Sequence, residues 1–156
     1  MLDTGADAPS FELPNQNGKP VSLAEYAGQR VVLYFYPRAD TPGCTREAKG
    51  FRDSLAEFAE RDVAVIGISD DPVEALDDFA DKYDLGFTLL SDEDGEVATA
   101  YDSFGERDLG EQTVEIAFRN TYVIGPDGKI ERAYEGVSPD GHATEVLADL
   151  DELAGN

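Results

Sequence analysis

From Arg30 to Tyr36 the chain reads Arg-Val-Val-Leu-Tyr-Phe-Tyr, a run of β-branched and aromatic residues with no polar interruption after its first position. A run of this length is too short for a helix, and its continuity predicts a strand buried on both faces, stopped by Pro37. The period then changes. Cys44, Ala48, Phe51, Leu55 and Phe58 follow one another at intervals of four, three, four and three, the spacing of one helix face. Val63–Ile68 predicts a second buried strand. Asp71-Pro72-Val73-Glu74 predicts a helix start with Asp71 as cap, a proline in the first turn and an acid three residues after the cap. Val73, Leu76, Phe79, Ala80 and Tyr83 form its inward stripe.

Phe87–Leu90 predicts a short strand and Asp94–Tyr101 a short helix. Phe118–Ile124 and Ile130–Tyr134 flank the turn signal Gly125-Pro126-Asp127-Gly128-Lys129 and predict an antiparallel hairpin. Ser138-Pro139 is expected to open a last helix, with Ala143, Val146, Leu147, Leu150 and Leu153 as its apolar stripe. Residues 1–28 are loop-rich, with Pro9, Pro14 and Pro20 around two extended pieces, Ser10–Leu13 and Val21–Leu23, joined at Asn15–Gly18 as a hairpin. The predicted order β-β-β-α-β-α-β-α-β-β-α is that of an α/β fold, a mixed central sheet with helices on its faces. No repeat, linker or low-complexity segment divides residues 1–156, which read as a single domain.

Composition narrows the function classes. A domain of this length buries roughly 68–70% of the surface its unfolded chain exposes and needs no metal or disulfide staple. The single cysteine excludes an intramolecular disulfide, a CxxC pair and a multi-cysteine zinc site, while a disulfide between two chains stays open. The N-terminal stretch has an acidic start and no apolar h-region, and no run of about 18 apolar residues occurs, so a cytoplasmic location without membrane association is expected. Thirty-four acidic against twelve basic residues give a net charge of −22. Such a surface repels nucleic acid and anionic lipid. Because the acids alternate with well-placed apolar residues, we read a charged shell on a folded core, adapted to a high-salt cytoplasm. The Asp70-Asp71 and Asp92-Glu93-Asp94 clusters read as solvated acids; the second has too few ordered ligands for an EF-hand loop, and no metal or other cofactor is called for.

The candidate chemistry lies in Pro37-Arg-Ala-Asp-Thr41-Pro-Gly-Cys44, between the first buried strand and the helix that follows. A thiol in the first turn of a helix faces unpaired backbone N–H groups and the positive end of the macrodipole, which favours the thiolate. Gly43 permits close backbone approach to a small ligand, and Pro37 and Pro42 stiffen the loop. Position alone leaves a reactive and a buried structural cysteine evenly matched.

Tyr34-Phe-Tyr-Pro37-Arg-Ala-Asp-Thr41-Pro-Gly-Cys44-Thr-Arg-Glu47 closely resembles the active-site loop of peroxiredoxins, most of all the bacterioferritin-comigratory, or Q-type, subfamily. The likeness extends to Ala8–Pro14, Leu89–Asp92, Arg119–Ile124 and Gly141-His142-Ala143, so it spans nearly the whole chain. It implies a thioredoxin-like fold in its peroxiredoxin variant and a thiol-dependent peroxidase. By this resemblance Cys44 is the peroxidatic thiolate, Thr41 holds the peroxide in line, and Arg119 stabilises the thiolate and the leaving oxygen. Pro37 shields the sulfur, the N–H groups of Gly43 and Cys44 complete the donor set, and Glu47 either orients Arg119 or is a solvated helix acid. The chemistry suits these roles, since O–O heterolysis needs a nucleophile and donors aimed at developing charge. An arginine stays charged and presents a rigid fork. The sequence reading puts Arg119 inside an apolar strand, where an unpaired charge is costly.

Many Q-type relatives carry a resolving cysteine five residues after the first; here that position is Lys49. Position 49 lies about 140° around the helix from Cys44. With no other cysteine in the chain, the implied cycle is a one-cysteine cycle, and the implied partners are a peroxide and an external thiol, either a small thiol or a thioredoxin-like or glutaredoxin-like protein. A monomer or weak homodimer is expected. Ala75, Leu76 and Phe104 also depart from the subfamily pattern, with no catalytic consequence. Two rivals stand beside this reading. One is a Cys44–His142 hydrolase dyad, which lacks a Gly-rich oxyanion motif; the bland reading of His142 is a neutral capping or surface residue. The other is a non-catalytic thioredoxin-fold binding module or stress holdase.

The charge carries its own prediction. Screening at molar salt relieves the self-repulsion of −22. The thermal unfolding midpoint, followed by circular dichroism, is expected to rise between dilute buffer and molar KCl. An unchanged or lower midpoint removes the salt-adaptation reading.

Overall fold

The structure is a computed structural model and describes residues 2–108, 110 and 113–154. A five-stranded sheet forms its centre, in the order β5-β4-β3-β8-β9. These are Thr88–Ser91 (β5), Val63–Ser69 (β4), Arg30–Phe35 (β3), Thr121–Ile124 (β8) and Ile130–Tyr134 (β9). β3, β4 and β5 run parallel, while β8 pairs antiparallel to both β3 and β9, so the sheet is mixed as the sequence predicts. The long apolar run is the central strand, and the Tyr36 N–H extends its ladder by bonding to the Ile68 carbonyl at 3.1 Å.

Alternation along β3 divides the core. Val32, Tyr34 and Tyr36 face a layer formed by α1 (Pro42–Asp53), α2 (Leu55–Glu60), α3 (Val73–Tyr83) and α5 (His142–Ala154). Val31, Leu33 and Phe35 face Phe11 and Val21 near the N-terminal hairpin, Ala98 of the short helix α4 (Glu96–Ala100), and Ala117. The N-terminal hairpin pairs β1 (Glu12–Pro14) with β2 (Pro20–Ser22). Its turn is closed by the Gly18 N–H on the Asn15 carbonyl, while the Asn15 side chain accepts from the N–H groups of Asn17 and Lys19.

Several expectations are corrected. The cysteine-bearing helix is interrupted at Ser54, whose N–H bonds back to Gly50 and Phe51, so Leu55 and Phe58 belong to a separate helix. The final helix opens at His142 rather than at Ser138-Pro139, because Gly141 sits at φ +77° and its carbonyl accepts the first helical bond, from Glu145. The predicted strand Phe118–Ile124 begins only at Thr121. Upstream of it β7 (Thr113–Ala117) pairs with β6 (Phe104–Asp108) in a hairpin that the sequence reading lacks. Phe118–Asn120 carries the chain between the two sheets. There the buried Asn120 donates to Ser103 Oγ and accepts from the Gly136 N–H.

The two acidic clusters are not uniformly solvated. Asp71 does not cap α3, whose N-cap is Pro72. It is buried, and its carboxylate accepts from the Ala39 N–H at 2.7 Å and the Ser69 hydroxyl at 2.8 Å. Asp92 is buried and accepts from the N–H groups of Val97 and Ala98, closing the start of α4.

Asp92→Ala leaves these two donors without an acceptor and is expected to cost about 1–3 kcal/mol. The exposed Asp94→Ala is expected to stay within about 0.5 kcal/mol. Urea unfolding of both variants in the same salt checks the contrast.

Candidate active site

The sheet brings together residues far apart in sequence. Because β8 runs antiparallel beside β3, its N-terminal end lies next to the C-terminal end of β3, with Tyr34 opposite Thr121 and the Phe35 N–H bonded to the Asn120 carbonyl. Arg119 therefore emerges at the mouth of the loop Tyr36–Thr41 that leads into α1. It lies between β7 and β8 rather than inside a strand, which corrects the sequence expectation. Its carbonyl accepts from the Val137 N–H at 2.8 Å.

Cys44 is the third residue of α1, and its side chain is buried at 1% exposure. Thr41 holds the N-cap position, and its carbonyl accepts the first helical bond from Thr45. Its hydroxyl does not cap the helix; it donates to the Arg38 carbonyl at 2.9 Å. The N–H groups of Gly43 and Cys44, in the first turn, thus have neither a helical acceptor nor the Thr41 side chain. Pro37 is half-buried above the end of β3.

Gly43 explains how Arg119 reaches this turn. A Cβ at position 43 would stand 2.6 Å from Arg119 Nη2 and 3.3 Å from Cζ, so the guanidinium rests against the bare backbone one residue before the cysteine. The close approach expected at Gly43 is thus made by a side chain of the protein itself. On its other side Arg119 Nη1 lies 3.5 Å from Glu47 Oε1. Glu47 is buried, so the solvated alternative is set aside. Burial, opposed by the Arg119 charge, pushes its carboxyl up to about 8.

Among the described residues, Glu47 Oε2 and the hydroxyls of Tyr34 and Tyr36 are buried without a hydrogen-bond partner. Burial raises both tyrosines, and the charges of Cys44 and Glu47 push in the same direction, so all four groups share one low-dielectric space. The sequence reading gave these tyrosines no polar role. Their aromatic character reads as core, which their stacking confirms: Tyr34 lies 4.7 Å from Phe51, ring to ring. It also missed Asp40 and Asp71, which brace the loop. Asp40, at φ +58°, accepts from Tyr83 and Lys82, and a non-glycine residue in that region is the signal local sequence could not supply.

His142 is neither a surface residue nor a partner of Cys44. It is buried, with Nδ1 3.0 Å from Glu145 Oε1 and Nε2 2.9 Å from Thr121 Oγ1, and burial holds its pKa below the usual range. With both ring nitrogens engaged elsewhere, the hydrolase dyad has no geometry. No helix among the described residues is long and apolar enough to cross a membrane.

The comparisons agree with this arrangement. The AhpC/TSA family profile matches residues 4–133. A putative peroxiredoxin of Mycobacterium tuberculosis (strain H37Rv) is 46% identical over 149 residues, 96% of this chain and 95% of the relative. Peroxiredoxin Bcp of Escherichia coli K12 is 44% identical over 153 residues, 98% of each chain. Among solved structures, the bacterioferritin comigratory protein of Xanthomonas campestris, studied for its alkyl peroxide reduction activity, superposes with a TM-score of 0.91 at 33% identity, covering 97% of this chain and 99% of its own. With a buried free cysteine at a helix start, an arginine over the same turn, and relatives matched along almost their whole length, the chain belongs to the AhpC/TSA family, among the peroxiredoxins of the Bcp type.

Proposed function

We propose that this thiol-dependent peroxidase works through Cys44, with Arg119, Thr41, Pro37 and Glu47 in supporting roles. The observation that carries the reading is the Arg119 guanidinium packed against Gly43, beside a buried cysteine at the start of α1. The Cys44 thiolate attacks one oxygen of a peroxide. A sulfur–oxygen bond forms as the O–O bond breaks, and the departing oxygen takes a proton to leave as water or an alcohol. Negative charge moves from sulfur to that oxygen. The guanidinium and the N–H groups of Gly43 and Cys44 are donors placed for both ends of the transfer.

Thr41 suits a positioning role because its hydroxyl already donates to the Arg38 carbonyl. Its oxygen is left as an acceptor, able to take the O–H of a hydroperoxide. Pro37 has no N–H to hydrate and covers the loop side. Alkyl peroxides, whose reduction is named for the Xanthomonas relative, and hydrogen peroxide both fit this chemistry. The single cysteine leaves sulfenic acid as the product, returned to the thiol by an external reductant. Such a reductant is kept reduced in the cytoplasm, where we place the enzyme. Its net charge of −22 favours a monomer or weak homodimer.

Glu47 contributes by being mostly neutral. With its carboxyl raised to about 8, the protonated form dominates at pH 7 and holds Arg119 in place without cancelling its charge. An ionised acid there would draw the guanidinium's field away from the sulfur.

Two measurements test these roles. A buried acid whose pKa is raised from 4.5 to about 8 binds more protons when folded than when unfolded. The stability it lends is full below the unfolded value and is lost as pH rises through the folded one, at up to about 1.4 kcal/mol per pH unit. Glu47→Gln is therefore expected to flatten the decline in urea stability between pH 5 and pH 8, and an unchanged slope would place Glu47 outside this role. The second is kinetic. Gly43→Ala displaces the guanidinium without removing any charge, and the second-order rate of Cys44 oxidation by hydrogen peroxide is expected to fall about 10- to 100-fold. Cys44→Ser serves as the inactive control. A wild-type rate no faster than that of a free thiol would favour a non-catalytic module.

A further inference from the structure

Arg119 is held from behind by the loop that joins β9 to α5. The Val137 N–H donates to the Arg119 carbonyl at 2.8 Å, and the Gly136 N–H donates to Asn120 Oδ1 at 3.0 Å. Pro139 closes the same space from the middle of the loop. A Cβ on Gly43 would meet Pro139 Cγ at 3.5 Å and Arg119 Nη2 at 2.6 Å, so the proline and the guanidinium border one spot on the first turn of α1. The loop has little stiffness of its own, since Gly136 and Gly141 stand at φ +58° and +77°, a region that glycine enters without strain. Its charged tether, Asp140 to Arg46, joins two exposed side chains and contributes little. Its shape depends on the buried contacts at its two ends.

The second end is pinned inside the protein. His142, which opens α5, is buried, and its Nε2 lies 2.9 Å from the hydroxyl of the equally buried Thr121. Thr121 is the first residue of β8, two after Arg119. The imidazole stands edge-on to Tyr134 of β9, 5.2 Å between centroids, and to Phe51 of α1, at 5.8 Å, so packing sets its orientation. Nδ1 lies 3.0 Å from Glu145 Oε1. A carboxylate only accepts, which puts the ring proton of the neutral imidazole on Nδ1 and leaves Nε2 to accept from the Thr121 hydroxyl. Both ends of the loop are thus tied to the three residues Arg119, Asn120 and Thr121.

We propose that His142 is a positioning residue for the peroxidase reaction: its bond to Thr121 anchors the loop 136–141, and that loop holds Arg119 against Gly43. This rests on the peroxidase reading above. His142 acts only through Arg119, and no proton passes through it. Losing the bond strands a buried ring nitrogen without a donor, and the loop end shifts to find it one. The guanidinium then moves off the turn it serves. A displacement of about 1 Å at the reacting groups costs up to about 100-fold in rate.

The test compares paired variants of the full chain. Thr121→Val keeps the shape of the side chain and removes its hydroxyl, while Thr121→Ser keeps the hydroxyl. His142→Asn places its amide at the level of Nδ1, short of Thr121, while His142→Gln carries a polar atom to the level of Nε2. The second-order rate of Cys44 oxidation by hydrogen peroxide is followed by quenched flow and intact mass, on protein shown to be folded by circular dichroism. It is expected to fall about tenfold in Thr121→Val and His142→Asn, and to stay within about threefold of wild type in Thr121→Ser and His142→Gln. The His142 pair carries the comparison should Thr121→Val not fold. A double-mutant cycle separates positioning from general support of the fold. In an Arg119→Ala background the same Thr121→Val or His142→Asn step is expected to cost less than about twofold, because the residue it acts through is gone. A folded Thr121→Val or His142→Asn at the wild-type rate, a conservative variant as slow as its partner, or a tenfold cost retained without Arg119 would each overturn the proposal while leaving the peroxidase intact. A wild-type rate no faster than that of a free thiol overturns both.

Discussion

The site depends on one costly placement, a guanidinium packed against the opening turn of α1. A charge held among apolar and backbone groups is tolerated only where partners or removed bulk compensate it. Here both occur. Position 43 has no Cβ, which makes room for the planar end of Arg119, and Glu47, three residues after Cys44 in the same helix, reaches its other side. The helix contributes its positive end, so the cation faces a like partial charge there. An anion between the two relieves both. The arrangement is thus poised for a negative atom at that spot, which is where the Cys44 sulfur and a peroxide oxygen meet in the proposed reaction.

Sheet topology makes this placement possible at all. A parallel neighbour on that side of β3 would have put the residues preceding it at the far end of the sheet. The antiparallel β8 instead brings Phe118–Asn120 to the C-terminal end of β3, and the Val137 N–H fixes the Arg119 carbonyl there. Asn120, buried and bonded to Ser103 and Gly136, holds the irregular step from one sheet to the other. The cost of leaving regular strand geometry at Arg119 is met by those bonds, and the gain is a side chain aimed across the loop rather than out of the sheet plane.

What could be read from sequence divides along the same line. Arg30–Tyr36, the helix stripes from Ala48 to Phe51 and from Val146 to Leu150, and the Gly125–Lys129 turn were legible, because periodicity and turn chemistry are local and the core follows them. Cys44 at a helix start was legible for the same reason. The hairpin of β6 and β7 was not: its first strand is charged and Gly-containing, and only the alternation Val114-Glu115-Ile116 marks the second. The burial of Asp71, Asp92 and His142 was equally hidden. Each looks like a surface residue until a distant backbone N–H or hydroxyl supplies its partner. Glu47 shows the limit most clearly. Its helix position fits solvent or core, and Arg119, far along the chain, decides between them.

The acidic surface and the site answer to different physics. Around α1, Arg46 meets Asp140, Lys82 meets Asp40 and Arg52 meets Asp53, all pairs that involve exposed side chains. Such pairs are worth about 0–1 kcal/mol and weaken as salt shortens the Debye length. Arg119 differs, because its partner is a buried carboxyl raised to about 8 and therefore mostly protonated at neutral pH. In the proposed reaction its charge is left for the sulfur, and Tyr34, Tyr36 and Phe51 share one buried cluster with Cys44, a low-dielectric medium on that side. In concentrated salt the exposed pairs weaken, whereas Glu47 is buried and the Arg119 side chain is only 24% exposed, so mobile ions screen this pair less.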